Sequence, residues 1–289
     1  MGALNLLVAS LAMVMLLAMS DVGAQDTRLI VRGDDLGMSQ GSLVAFENAF
    51  KEGILTCASI IVPAPWFEAA ADLIRNNPRW CIGVHLTLIG EWRGYRWRPV
   101  LPWNVVNSIV DEDGFLYRYP EELLERKPRT EEIDAEWRAQ INLALKKGIK
   151  LQYLDFHYMG PASYPGLIEV VQRIAMDYNL PISGTVGEKR LPGIYMTPVG
   201  KKTELAVNVL ENLKPGLWLW VFHPGIDSPE QNALIHTNPE DVFKDGNVGK
   251  HRAAEAATLR SPQVKLVIKK RPIKLTTYGE IWTALQNRK

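Results

Sequence analysis

Four stretches of the chain carry residues that can move protons or hold a cation. "IVRGDDLGMS" sets Asp34 and Asp35 side by side between Gly33 and Gly37. "WCIGVHLTL" contains His85, and "LQYLDFH" ends in Asp155 and His157. "LWLWVFH" ends in His223, just before Pro224 and Gly225. Adjacent carboxylates repel, so folding alone gives little reason to place two together. One carboxylate with two imidazoles makes a facial metal site that leaves positions open for water and substrate. A second carboxylate beside the ion can take the proton from metal-bound water. One aspartate would bind the ion and its neighbour would serve as base, with the cation relieving their repulsion.

Each of these residues sits at or near the end of an apolar run that reads as a strand. "RLIVR" leads to Gly33, where the first strand is expected to end in a turn that lets both carboxylates face one way. Ser39 reads as the N-cap of the helix that follows, which leaves Asp34 and Asp35 free of capping duty. Leu43, Phe46 and Phe50 form a helical stripe ended by Gly53. "ILTCASIIV" reads as a buried strand and "PWFEAAADLIRNN" as a helix. A helix is expected from Thr130 to Lys147 and another over "GLIEVVQRIAMDYN", with "PISGTV" as a weak strand after it. Further helices are expected over "KKTELAVNVLENL" and from Gly249 to Leu259. "VKLVI" and "IKLTT" read as strands, and Thr277 to Glu280 as the capping box of a last helix. Residues 89 to 129 interrupt the rhythm as a long irregular excursion.

Strand–helix alternation of this kind predicts an α/β fold: a barrel-like domain with a mostly parallel sheet, irregular, of seven or eight strands. An open doubly wound sheet is the alternative. In both, active sites form at the C-terminal edge of the strands, where Asp34, Asp35, His85, His157 and His223 fall. His236 and His251 lie in polar stretches and read as solvated. No phosphate-cradling glycine motif is present, so a nucleotide site has little support.

The 289 residues are 47% hydrophobic with a formal net charge of +1. That suffices for one large core over residues 25–289 and gives no reason to expect a nucleic-acid partner. Residues 4 to 19 are almost all apolar, and small residues follow at Val22, Gly23 and Ala24. This reads as a signal peptide over residues 1–24, with a secreted or periplasmic mature domain and no stable membrane insertion after cleavage. An uncleaved membrane anchor is the alternative. Cys57 and Cys81 lie inside apolar strands and read as buried free thiols, although export would permit a disulfide.

Taken in order, "RGDDLGMS", "GILTCASIIVPAPWFEAA", "IGVHLTL", "LDFH" and "FHPG" resemble the YdjC-like carbohydrate deacetylase family from about Leu29 to Thr276. The resemblance implies a barrel-like α/β domain that removes acetyl groups from N-acetylated sugars with one divalent metal ion, Zn or Mg. It implies Asp35, His85 and His157 as metal ligands, Asp34 as general base and His223 as general acid. Many members follow D-x-H with further histidines, whereas this chain reads "LDFHYMGP", which puts the usual chito-oligosaccharide substrate in doubt.

The segment "GEWRGYRWRPVLPW" offers Trp92, Arg93 and Trp97 as substrate contacts. Indole faces stack on pyranose rings and arginine reaches hydroxyls. A lid that packs these aromatics on the barrel rim is the alternative. The expected partner is an acetylated mono- or oligosaccharide. Another metal-dependent hydrolase on the same scaffold and a non-catalytic sugar-binding protein are the competing functions.

Overall fold

The computed structural model describes residues 26–236 and 247–287; the expected signal peptide lies outside them. The strands are β1 (Thr27–Leu36), β2 (Cys57–Ile60), β3 (Cys81–Thr87), β4 (Trp92–Arg93), β5 (Leu151–His157), β6 (Lys189–Arg190), β7 (Gly216–Phe222), β8 (Ile235–His236) and β9 (Lys274–Leu275). The helices are α1 (Gln40–Glu52), α2 (Phe67–Arg75), α3 (Pro120–Glu125), α4 (Thr130–Lys146), α5 (Leu167–Tyr178), α6 (Lys202–Glu211), α7 (Pro229–Asn232), α8 (Val248–Arg260), α9 (Pro262–Lys270) and α10 (Tyr278–Gln286). Among the described residues, no helix is long and apolar enough to cross a membrane.

One sheet runs in the order β5-β3-β2-β1-β7-β6, every neighbour parallel, with β9 joining the start of β1. β4 and β8 form a separate antiparallel ribbon. The expected barrel-like α/β fold is therefore present as a half-barrel. It stays open partly because "PISGTV" is not a strand. That segment gives only a bridge from Ile182 to Leu154, since Pro181 lacks an N–H and Gly184 takes a left-handed φ of 91°. "VKLVI" is also not a strand. It lies in α9, where Pro262 opens the helix and Val264 and Val267, three apart, are buried while Leu266 is exposed.

Strand alternation sorts the sheet's two faces. Leu29 and Val31 of β1, Ala58 and Ile60 of β2, Ile82, Val84 and Leu86 of β3, and Trp220 and Phe222 of β7 share a core with α1, α2, α4, α5 and α6. The alternate residues line the concave face. Its lower layer is Ile30, Cys57, Cys81, Tyr153, Leu217 and Leu219, closed by Tyr278 of α10. Cys57 and Cys81 are free, buried and directly opposite in register, with Sγ atoms 3.0 Å apart.

α1 begins as the sequence predicts. The Ser39 side chain accepts from the Ser42 amide, and the Ser42 hydroxyl accepts from the Ser39 amide. The excursion over residues 89–129 contains only β4 and α3. Buried Glu136 of α4 ties it down by accepting from the Val100 and Leu101 amides at 2.9 and 3.0 Å.

Candidate active site

β1 does not end at Gly33. It continues to Leu36, but its pairing with β2 is irregular between Gly33 and Leu36, and Asp35 takes a left-handed φ of 73°. In a regular strand Asp35 would point away from Asp34, toward the helices. The irregularity turns it inward, so two successive carboxylates enter the same mouth. A left-handed aspartate costs energy that the surroundings must offset, a pattern that clusters at functional sites.

Asp35 Oδ1 lies 3.5 Å from His85 Nε2 and 3.3 Å from His157 Nδ1. It is buried and accepts no hydrogen bond. Three donor atoms around a small ion with bonds of roughly 2.0–2.2 Å stand about 3.4 Å apart in a tetrahedron. The unpartnered oxygen and these spacings therefore fit a cation held by Asp35, His85 and His157. The other ring nitrogens are committed: His85 Nδ1 to Asp155 Oδ1 at 3.0 Å, and His157 Nε2 to Glu91 Oε2 at 2.9 Å. A carboxylate on the far nitrogen fixes tautomer and ring orientation and makes the near nitrogen a better ligand. Burial disfavours both imidazolium ions, but Asp155 and Asp34 outweigh it for His85 and push it up to about 10. Glu91 and Asp35 push His157 up to about 9. An ion taking these nitrogens displaces protons.

Asp34, His85 and Asp155 form a second compact triad. Arg32 bridges its two carboxylates, donating from Nε to Asp34 Oδ1 at 2.7 Å and from Nη2 to Asp34 Oδ2 at 2.8 Å, with Nη2 also 2.8 Å from Asp155 Oδ2. A guanidinium there repels a cation, so this triad is an ion-pair network. Burial alone would raise the Asp34 carboxyl, but Arg32 and then His85 hold it below the usual carboxylate range.

His223 follows β7, whose Phe222 pairs with Gly33, so it stands beside Asp34 at the mouth. Its amide donates to Glu255 Oε2 at 2.6 Å, its ring lies 4.5 Å from that of Tyr195, and its side chain is 25% exposed. Burial, helped by Arg252, holds its imidazole below the ordinary histidine value. The expected residues Asp34, Asp35, His85, His157 and His223 thus all converge on one mouth.

The substrate contacts expected of the excursion are placed differently. Trp92 and Trp97 are each 1% exposed. They pack with Met38, Ile61, Ala64, Leu234 and Val248, and Trp97 also lies 5.6 Å from the His157 ring. Their faces are covered, as in the rim-packing alternative. Arg93 is exposed on the ribbon. His236, expected to be solvated, is buried: it bonds with the Tyr158 hydroxyl and packs edge-on to Trp92.

Several partners escape a reading of the sequence. Arg252 of α8 donates to Asp35 Oδ2 at 2.6 Å across 217 residues, and Glu255, three residues on, reaches His223. Both are buried, so they share the inward face of α8. A buried i, i+3 pair of charges is the signal that the sequence offers, but it does not name the partners. Arg32 and Asp155 carry a stronger signal, since alternation puts them on the same face as Asp34 and His157. Glu91 has no such pattern, because it lies in the irregular segment after β3.

Together, a curled parallel α/β sheet and a buried carboxylate–diimidazole cluster at its C-terminal edge define a class of α/β half-barrel whose strand-end site could hold a divalent ion. Within that class the assignment is specific: the family model for YdjC-like protein matches residues 28–270, and the chain belongs to that family. A carbohydrate deacetylase of Brevibacillus brevis is 27% identical over 265 residues, spanning 88% of this chain and 99% of the relative. A carbohydrate deacetylase of Thermus thermophilus is 31% identical over 231 residues, spanning 71% of this chain and 80% of the relative. A solved Enterococcus faecalis V583 structure, described as a cellobiose-phosphate cleavage protein, shares the fold with a TM-score of 0.74 at 24% identity. That match covers 89% of this chain and 99% of the other.

Proposed function

We propose that this hydrolase is a metal-dependent carbohydrate deacetylase that removes acetyl groups from N-acetylated sugars. The observation that carries the reading is the convergence of Asp35 Oδ1, His85 Nε2 and His157 Nδ1, with Asp34 and His223 beside them. The relatives' name, carbohydrate deacetylase, supplies the substrate class. A divalent ion at these three residues, Zn or Mg, would supply a Lewis acid for the acyl oxygen and make the attacking water more acidic. Asp34 accepts the water's proton. Arg32 keeps its carboxylate ionised and fixes both oxygens, and each oxygen retains a second lone pair for that proton. Arg252 holds Asp35 Oδ2, so Oδ1 alone faces the two imidazoles. His223 delivers a proton to the amine nitrogen as it leaves. Burial makes its imidazolium a stronger acid than an ordinary histidine, which suits that step. The apolar N-terminal stretch supports export of the mature domain, testable by fractionation and N-terminal sequencing.

The test is acetate release from a panel of N-acetylated mono- and disaccharides, before and after chelation and after metal is restored. Activity should vanish with the metal and return with it. His223→Ala should lower turnover on amides by about 10²- to 10⁴-fold with metal content unchanged, and lower it less on an activated acetate ester. Full activity in chelator, or equal losses on amide and ester, would overturn this assignment of roles.

A further inference from the structure

We propose that Tyr158 is the stacking platform for the substrate's sugar ring, with His236 as its brace; this rests on the deacetylase reading above. The residues expected to stack on the sugar, Trp92 and Trp97, are buried with their faces covered. Tyr158 is 51% exposed, and its ring centre lies 5.1 Å from that of His157. It therefore joins the metal-site wall to solvent, which neither tryptophan does.

Its backbone adds a second, independent observation. Tyr158 takes a left-handed φ of 59°, and the Met159 amide closes onto the His157 carbonyl at 2.6 Å. Bulky residues avoid this region, so the surroundings hold the ring where an unconstrained chain would not. The hydroxyl is bonded to His236 Nε2, and the two rings lie 27° from parallel with centres 5.9 Å apart. His236 is in turn braced edge-on by Trp92, its register partner across the β4–β8 ribbon. The tryptophan of the excursion thus acts on the mouth through His236 and Tyr158. A tyrosine fixed in this way offers a rigid, electron-rich face at little entropic cost, and the C–H edges of a pyranose carry the complementary positive charge. The chemistry selected is a sugar ring adjoining the acetamido group.

Two variants test this. Tyr158→Phe keeps the ring, and Tyr158→Asn removes it while tolerating the left-handed backbone. The probes are the β-linked disaccharide of N-acetylglucosamine and p-nitrophenyl acetate, which has no sugar. Tyr158→Asn should raise KM for the disaccharide about tenfold with kcat nearly unchanged, and leave KM for the ester at the wild-type value. Tyr158→Phe, which keeps the ring and loses the bond to His236, should stay within about threefold of wild type. Disaccharide binding to the metal-free protein, followed by ligand-observed NMR, is the second readout. Binding that needs Tyr158 in a wild type that releases no acetate from sugars would sink the deacetylase reading and keep the platform. The platform is overturned if wild type and Tyr158→Asn bind the disaccharide equally, if wild type does not bind it, or if KM for both probes moves together.

Discussion

At the lower end of the concave face, Ile30, Cys57, Cys81, Tyr153 and Leu219 pack with Tyr278 into a neutral layer. Four residues further along the chain from Ile30, Cys81, Tyr153 and Leu219 stand Asp34, His85, His157 and His223. The contacts within the lower layer are neutral, the Tyr153 hydroxyl bonding with Ser59 at 2.8 Å and its ring stacking on Tyr278 at 4.3 Å, while at the edge the Tyr278 hydroxyl donates to Glu188 at 2.9 Å. Burial pushes the Cys57 thiol and the Tyr153 and Tyr278 hydroxyls well above their ordinary pKa values, so these three groups stay neutral near neutral pH. The upper layer is nearly as buried and dense with charge. Such burial is tolerable only when each charge has a partner. Arg32 serves Asp34 and Asp155, and Arg252 serves Asp35. Reactivity and stability are therefore separated along single strands within a few residues. Substitutions in the two layers should fail in different ways.

The sharpest break should come from Asp34→Asn. It keeps the shape and one of the two hydrogen bonds from Arg32 but removes the proposed base, so turnover should fall about 10²- to 10⁴-fold. Metal content should stay near wild type, and because Arg32 keeps Asp155 as a charged partner the fall in Tm should be modest. A large drop in Tm would show that the upper layer carries stability after all, and would erase the contrast.

A smaller effect is expected from Glu91→Gln, which weakens the hold on His157 Nε2 without touching the ion. Chelator competition should show metal affinity lower by about 10- to 100-fold. Unchanged affinity would mean that His157 is oriented by its other neighbours.

Gly83→Ala probes the lower layer. A Cβ there would meet the Tyr153 ring at 2.4 Å, and that ring is fully buried and anchored by Ser59 and Tyr278. The stability cost should be about 1–3 kcal/mol, read by denaturant unfolding, while metal affinity of the folded fraction stays the same. Equal losses in both measurements would show the layers to be coupled through β3.

The sequence by itself determined which side chains share a face and an edge of the sheet. Strand alternation fixes Ile30, Arg32 and Asp34 to one face, as it does Cys81, Gly83 and His85, and Tyr153, Asp155 and His157, because residues two apart on a pleated chain point the same way. Parallel strands then bring their C-terminal ends to one edge, so Asp34, His85, His157 and His223 were legible as a cluster. Ser39 and Thr277 were legible as caps because capping is a local event. Tertiary structure alone decided the rest, for three physical reasons. A turn after Gly33 is expected to aim both carboxylates into the mouth, but packing supplied the means: β1 runs on to Leu36 with an irregular pairing, and Asp35 takes a left-handed backbone. "VKLVI" became a helix because a one-sided core was there to receive Val264 and Val267, and a short β-branched run fits either structure. Arg252 and Glu91 reach Asp35 and His157 across 217 and 66 residues, where only chain packing can join them. The same packing put Trp92 and Trp97 in the interior and left Tyr158 at the mouth, since what exposes an aromatic ring is its surroundings and not its type.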